Sequence, residues 1–255
     1  MAVLVDIGNT RIKWATLADG RLVNRGSAVH RDALDAAIGA FAAALPERAR
    51  IIAANVAGAP MARRLEALVA TLPGASLELV ATSAERFGVR CAYSDPSKLG
   101  VDRWIAVLAA HHAANAAACV IDAGTAVTFD AVAGDGAHLG GLILPGADLL
   151  AAALDRNTSD IGRTAPAPAV ARGLELLGRN TDAAVGHGAW LALAAALDRA
   201  VSTVARALSA TPAVYLTGGD AVALHGWLET RVELRADLVL EGLALFAGRR
   251  TETRR

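Results

Sequence analysis

Cysteine is nearly missing from this chain. Cys91 and Cys119 are the only two, too few for a disulfide framework and without the spacing of a metal site. Net charge is missing as well. The 25 basic residues balance 25 acidic ones, so no overall field gathers nucleic acid or an anionic membrane. No apolar run reaches the roughly 18–20 residues that span a bilayer. The longest, Trp104 to Ile121, is broken by His111, His112 and Asn115 and reads as a buried amphipathic helix. The first residues go straight into a strand pattern, with no basic segment, apolar stretch and cleavage site of an export signal. The histidines are scattered, and the adjacent His111 and His112 would fall on different helix faces, a poor metal pair. These absences predict a cytoplasmic protein with neither a nucleic-acid nor a membrane partner. The mildly basic stretch from Gly248 to Arg255 reads as a solvated tail. Lysine is scarce too: Lys13 and Lys98 are the only lysines among the 25 basic residues.

What is present is an apolar fraction of 54%, ample for a buried core, in a length that suits one large domain or two of about 100–150 residues. The most informative feature is a pattern that occurs twice. Val3-Leu4-Val5-Asp6-Ile7-Gly8-Asn9-Thr10 is a short apolar run ending in an acid, a glycine and a hydroxyl. It continues through Arg11-Ile12-Lys13-Trp14 to Asp19-Gly20. Cys119-Val120-Ile121-Asp122-Ala123-Gly124-Thr125 continues in the same way to Asp135-Gly136, with equal spacing from the leading aspartate. Carboxylate, glycine and threonine at a strand-to-turn junction are the residue types that hold magnesium and phosphate.

Each copy opens a similar succession. Strands are expected at Val3–Asp6, Ile12–Leu17 and Leu22–Ser27. A helix at Asp32–Leu45, a strand at Arg50–Val56, a helix at Met61–Leu72, a strand at Leu77–Ala81 and a helix from about Lys98 to Asn115 follow. The second half is expected to have strands at Ala118–Ile121, Thr125–Val132 and Ala137–Leu144. After Pro145-Gly146 come a helix through Leu154, a loop over Arg156–Arg172 and a long Ala/Leu helix from Asn180 to Leu208. The strand Ala213–Thr217 ends in Gly218-Gly219; a short helix, the strand Val232–Arg235 and a helix from Val239 close the chain. The expected fold is α/β: two duplicated halves, residues 1–116 and 117–255, each a mixed sheet with flanking helices, facing a shared cleft.

The duplicated hairpins and the late Gly218-Gly219 resemble the actin-like ATPase superfamily of acetate and sugar kinases, which implies that each half is ribonuclease-H-like, a mixed five-stranded sheet with flanking helices. Within it, four ordered motifs resemble the type III pantothenate kinases. They are Asp6-Ile7-Gly8-Asn9-Thr10 with Lys13, Tyr93, Gly100-Val101-Asp102-Arg103-Trp104, and Asp122-Ala123-Gly124-Thr125. The resemblance implies phosphorylation of pantothenate by ATP, the first step towards coenzyme A.

It also implies roles. Asp6 would hold Mg2+ through water, while Gly8, Asn9, Thr10 and Lys13 would take the ATP phosphates. Gly124 and Thr125 would form a second phosphate station, with Asp122 on a monovalent cation, K+ or NH4+, and Gly218-Gly219 beneath the adenosine. Tyr93, Gly100, Val101, Asp102 and Arg103 would bind pantothenate. Asp102 would serve as general base, and Arg103 could pair with the substrate carboxylate. Family members are homodimers, in which Thr181 would reach the partner's substrate. Without the resemblance, Asn180 or Thr181 is a helix cap, and His187 and Trp190 are core or interface residues. Two other readings share the scaffold: another small-molecule kinase of the superfamily, and a non-catalytic regulatory protein. The Gly100–Trp104 motif argues against the first, and the joint presence of Lys13 and Asp102 against the second.

Overall fold

A computed structural model describes residues 1–31, 33–157 and 169–248. Two compact units form: Met1–Ala109 together with the segment from Asp237 onward, and Ala110–Ala236.

In the first unit, β1 (Ala2–Ile7), β2 (Arg11–Ala18) and β3 (Arg21–Val29) are an antiparallel meander. After α1 (Leu34–Ala43), β4 (Arg50–Asn55) pairs parallel to β1. After α2 (Ala59–Ala70), β5 (Ser76–Leu79) pairs parallel to β4. The sheet order is β3-β2-β1-β4-β5. Val3, Val5 and Ile7 alternate with residues of the other face, and with Ile51 and Ala53 they bury Phe41, Met61 and Leu65 of the two helices. A period of two in the strands and 3.6 in the helices brings these residues to one layer. A short hairpin, β6 (Glu85–Arg86) and β7 (Val89–Arg90), precedes α3 (Val101–Ala114).

The second unit repeats the plan. β8 (Ala118–Ala123), β9 (Ala126–Val132) and β10 (His138–Pro145) form the meander, and α4 (Ala147–Asn157) and α5 (Thr181–Leu208) follow. β11 (Ala213–Thr217) and β12 (Glu233–Leu234) complete a sheet of order β10-β9-β8-β11-β12, with α6 (Ala221–His225) between them. Ile121, Phe129 and Leu216 pack against Trp190, Leu193 and Leu197 of α5 in this core. His187 and Trp190 are core-side residues: the rings of Trp190 and Trp227 stack at 6.4 Å, and His187 Nδ1 lies 3.0 Å from the Leu176 carbonyl. Cys119 is buried here, which pushes its thiol up to about 12 and leaves it inert.

Two expectations are amended. The run from Trp104 to Ile121 is a helix and then a strand, because Asn115 takes a left-handed backbone (φ 48°) that asparagine tolerates and that stops α3. The closing helix α7 (Leu238–Ala247), assigned by sequence to residues 117–255, belongs to the first unit. It packs on β1 and β4, buries Leu240 and Leu243, and sets Gly242 so close to Ile105 that a Cβ there would come within 2.4 Å of the Ile105 carbonyl oxygen. The expected start of α1 at Asp32, most of the loop over Arg156–Arg172 and the tail beyond Gly248 lie outside the described residues.

Candidate active site

Both copies of the hairpin end in a turn whose glycine is braced by its own strand. Gly8 N donates to the Arg11 carbonyl at 3.0 Å, and Gly124 N to the Ala126 carbonyl at 3.3 Å. A Cβ on either glycine would touch only that oxygen, at 3.5 Å, so the protein's own packing does not demand glycine at either place. Space left beside a turn is what a phosphate oxygen approaching the backbone requires. The amides of Asn9, Thr10 and Thr125 have no partner among the described residues. They are donors of the kind that anions occupy.

The turns differ in length. Ile7 pairs with Ile12 across the first and Ala123 with Val127 across the second, so the second turn is one residue shorter. Asp6 therefore faces Lys13 across the ladder, whereas Asp122 faces Thr128. The first turn sets an acid against a base; the second sets an acid against a hydroxyl.

The third strand of each meander returns to brace its turn. His30 N donates to the Thr10 carbonyl at 2.9 Å, and Gly146 N to the Thr125 carbonyl at 3.0 Å. At Gly146 a Cβ would lie 2.6 Å from the Gly124 carbonyl oxygen, so glycine is obligatory there. The sequence offered Pro145-Gly146 only as a lead into a helix. His30 instead turns its ring inward: 7% exposed, with Nε2 at 2.7 Å from the Gly8 carbonyl.

Gly218-Gly219 sits against the second turn. Gly218 has φ +101°, and a Cβ there would be 2.2 Å from the Ala123 carbonyl oxygen and 2.5 Å from Asp122 Oδ1. Asp220 N donates to the same Ala123 carbonyl at 2.9 Å. Desolvation, and then the charge of Asp148, raise the Asp220 carboxyl above its ordinary range.

Tyr93, Gly100, Asp102 and Arg103 come together at the start of α3. Asp95 caps a preceding turn by accepting from Ser97 N at 3.0 Å, and Thr82 Oγ1 donates to the Leu99 carbonyl at 2.9 Å, which fixes the entry to the helix. Arg103 is 8% exposed and donates to the Tyr93 hydroxyl at 3.3 Å. Asp102 is half-buried, and its Oδ1 accepts from Arg103 N at 2.7 Å. The same oxygen lies 2.7 Å from where a Gly100 Cβ would be; glycine makes room for the carboxylate.

Thr181 is exposed at the first position of α5, capped by Asn180 Oδ1 accepting from Ala183 N at 2.8 Å. It lines an open groove of about 880 Å3 with Leu150, Leu154, Ala184, Gly188 and Ala192. Ala184, Gly188, Leu191, Ala192 and Ala195 are exposed along this side of α5, while Gly186 faces the core.

As to a metal, no cluster of three or more His, Cys, Asp or Glu side chains exists among the described residues. A divalent ion held by one carboxylate would take waters and phosphate oxygens as its other ligands. That is the habit of Mg2+, and Asp6 fits it. No described helix is long and apolar enough to cross a membrane.

Two like five-stranded sheets, each opening with a meander, define the class of fold as actin-like ATPase. A protein from Sinorhizobium meliloti named as a 2-dehydro-3-deoxygalactonokinase shares the fold, with a TM-score of 0.57 and 17% identity over 100% of this chain and 98% of that one. The family model for type III pantothenate kinase matches residues 2–203. The type III pantothenate kinase of Nitrosococcus oceani is 36% identical, over 100% of this chain and 97% of its own length. That of Aromatoleum aromaticum is 38% identical, over 97% and 98%. The chain belongs to the type III pantothenate kinase family.

Proposed function

We propose that the protein transfers the γ-phosphate of ATP to the primary hydroxyl of pantothenate, giving 4′-phosphopantothenate for coenzyme A synthesis in the cytoplasm. The observation that carries the residue assignment is the cluster at α3, where Asp102, Arg103 and Tyr93 share one helix start beside a glycine that leaves room for the carboxylate. Phosphoryl transfer asks a protein mainly for alignment and charge neutralisation. Asp102 orients the hydroxyl and accepts its proton as the new P–O bond forms. Arg103 pairs with the pantothenate carboxylate, and Tyr93 helps hold it there, with Gly100 and Val101 shaping the pocket. Asn9 and Thr10 amides with Lys13 take the phosphates at the first station, and Thr125 and Gly124 at the second. Mg2+, when bound through Asp6, neutralises phosphate charge; a monovalent cation is assigned to Asp122.

Purified protein incubated with ATP and pantothenate should yield phosphopantothenate and ADP in equal amounts, read by mass spectrometry. ADP without phosphopantothenate overturns the substrate assignment. Asp6→Asn should keep the fold, since the acid is only half-buried at a strand end, and should raise the Mg2+ concentration needed for half-maximal rate. Full activity of that variant at limiting Mg2+ removes Asp6 from the metal.

The exposed stripe of α5 supports a homodimer. A helix apolar on most of its circumference has two sides to cover, and in the single chain Ala184, Gly188 and Ala192 stay open. A two-fold partner helix is the commonest solution, and it brings Thr181 to the other protomer's pantothenate. Ala192→Glu should then give monomers in sedimentation and a raised KM for pantothenate together. Ala189 is a less clean position, being 8% exposed. A fully active monomer at assay concentration defeats both the dimer and the role of Thr181.

A further inference from the structure

His30 is a lone histidine in the sequence, outside every motif, yet it meets the first phosphate turn twice. Its main-chain N–H donates to the Thr10 carbonyl at 2.9 Å, and its Nε2 lies 2.7 Å from the Gly8 carbonyl. A carbonyl oxygen only accepts, so Nε2 carries a proton and donates. The consequence follows from peptide planarity. The Gly8 carbonyl and the Asn9 amide belong to one rigid trans unit and point in opposite directions. Fixing the oxygen against His30 therefore fixes the Asn9 N–H, which has no partner among the described residues, on the side of the turn away from the ring. The bond between His30 N and Thr10 likewise sets the plane shared by Thr10 and Arg11.

The second turn shows what is specific here. The equivalent contact, Gly146 N to the Thr125 carbonyl, is kept at 3.0 Å. Residue 146 can offer no side chain to the Gly124 carbonyl, because a Cβ on Gly146 would already lie 2.6 Å from it. One turn is held by close backbone packing, the other by an imidazole. The longer first turn has one more residue to keep in place, and unpinned its Gly8–Asn9 peptide could rotate.

We propose that His30 is the positioning residue of the first phosphate turn: it orients the Asn9 amide towards the ATP phosphates without touching them. The proposal deepens the assignment of Asn9, Thr10 and Lys13 to phosphate and rests on it. His30→Leu, which keeps the bulk and removes the donor, should raise KM for ATP about tenfold, the loss of roughly one oriented hydrogen bond to a charged group. KM for pantothenate should stay unchanged. His30→Gln should recover most of the loss, because its terminal amide nitrogen reaches as far as Nε2; His30→Asn, whose amide is too short, should not. A merely structural role would instead lower thermal stability in all three variants and leave KM for ATP alone.

Lys13→Ala separates the proposal from its foundation. If Lys13→Ala leaves KM for ATP unchanged, the phosphate assignment itself fails. If Lys13→Ala raises it and folded His30→Leu does not, only the role of His30 fails. Should His30→Leu not fold, His30→Asn against His30→Gln makes the same comparison. If neither Leu nor Asn folds, His30 is a core residue and the proposal falls.

Discussion

Asp102→Asn is expected to bind ATP and pantothenate as the native protein does and to turn over about 10²–10⁴ times more slowly, the usual worth of general-base assistance. The substitution is conservative where it has to be. Asn keeps the Oδ1 that accepts from Arg103 N, so the start of α3 and the Arg103–Tyr93 contact stay in place. What is lost is the basic oxygen and its charge. A fall in kcat with little change in KM marks an interaction that matters in the transition state and not in binding. Near-native kcat in the variant would take Asp102 out of the chemistry and leave it as a helix-start acid.

Gly218→Ala is expected to destabilise the second unit markedly. Its φ of +101° lies where L-residues are strained, and the added carbon would sit 2.2 Å from the Ala123 carbonyl oxygen and 2.5 Å from Asp122 Oδ1. The carbonyl is backbone, held by the Asp220 amide, so it cannot step aside as a side-chain tip could. Strain of this kind costs about 1–3 kcal/mol, or roughly 2–12 °C in melting temperature for a chain of this size. Relief of the overlap must move β8 or β11, so Asp122 moves too, and ATP affinity should fall with stability. Gly219→Ala is the control: no atom lies within 4 Å of its Cβ position. A Gly218→Ala melting curve that overlays the native one would show that the turn relaxes freely, and would remove the argument that it is built around a close approach.

The strands were legible because their composition is unambiguous. Val3-Leu4-Val5 and Cys119-Val120-Ile121 are central and covered on both faces, and such strands read as continuous apolar runs. The meander order followed from turn residues. Several features left no trace of that kind. β6 and β7 are two residues each, too short for a period to appear. The equal spacing from Asp6 to Asp19-Gly20 and from Asp122 to Asp135-Gly136 concealed unequal parts. The shorter turn after β8 is offset by a longer one after β9, where Ala133 N donates to the Ala137 carbonyl around the loop, against the two-residue Asp19-Gly20 turn. A sum of lengths does not reveal its terms. At the candidate site, the glycines announced themselves, but the reasons differ: Gly218 and Gly146 are forced by neighbouring carbonyls, whereas Gly8 and Gly124 are not. His30 and the meeting of Tyr93 with Arg103 are tertiary contacts, set by where β3 ends and how the segment before α3 folds back, and no local pattern encodes them.

The placement of α7 gives the chain a direction in time. The second unit is continuous, Ala110–Ala236, and every strand of its sheet has emerged once Leu234 is synthesised. The first unit is not continuous. Its sheet is complete by Leu79, but one face waits for Leu240, Leu243 and Phe246, and Arg50 waits for the Ala247 carbonyl it donates to at 3.2 Å. On the ribosome the half that is made first is therefore finished last. Its strands must stay partly uncovered while the later half folds, and an interrupted message leaves an exposed sheet face, a target for chaperones or proteases.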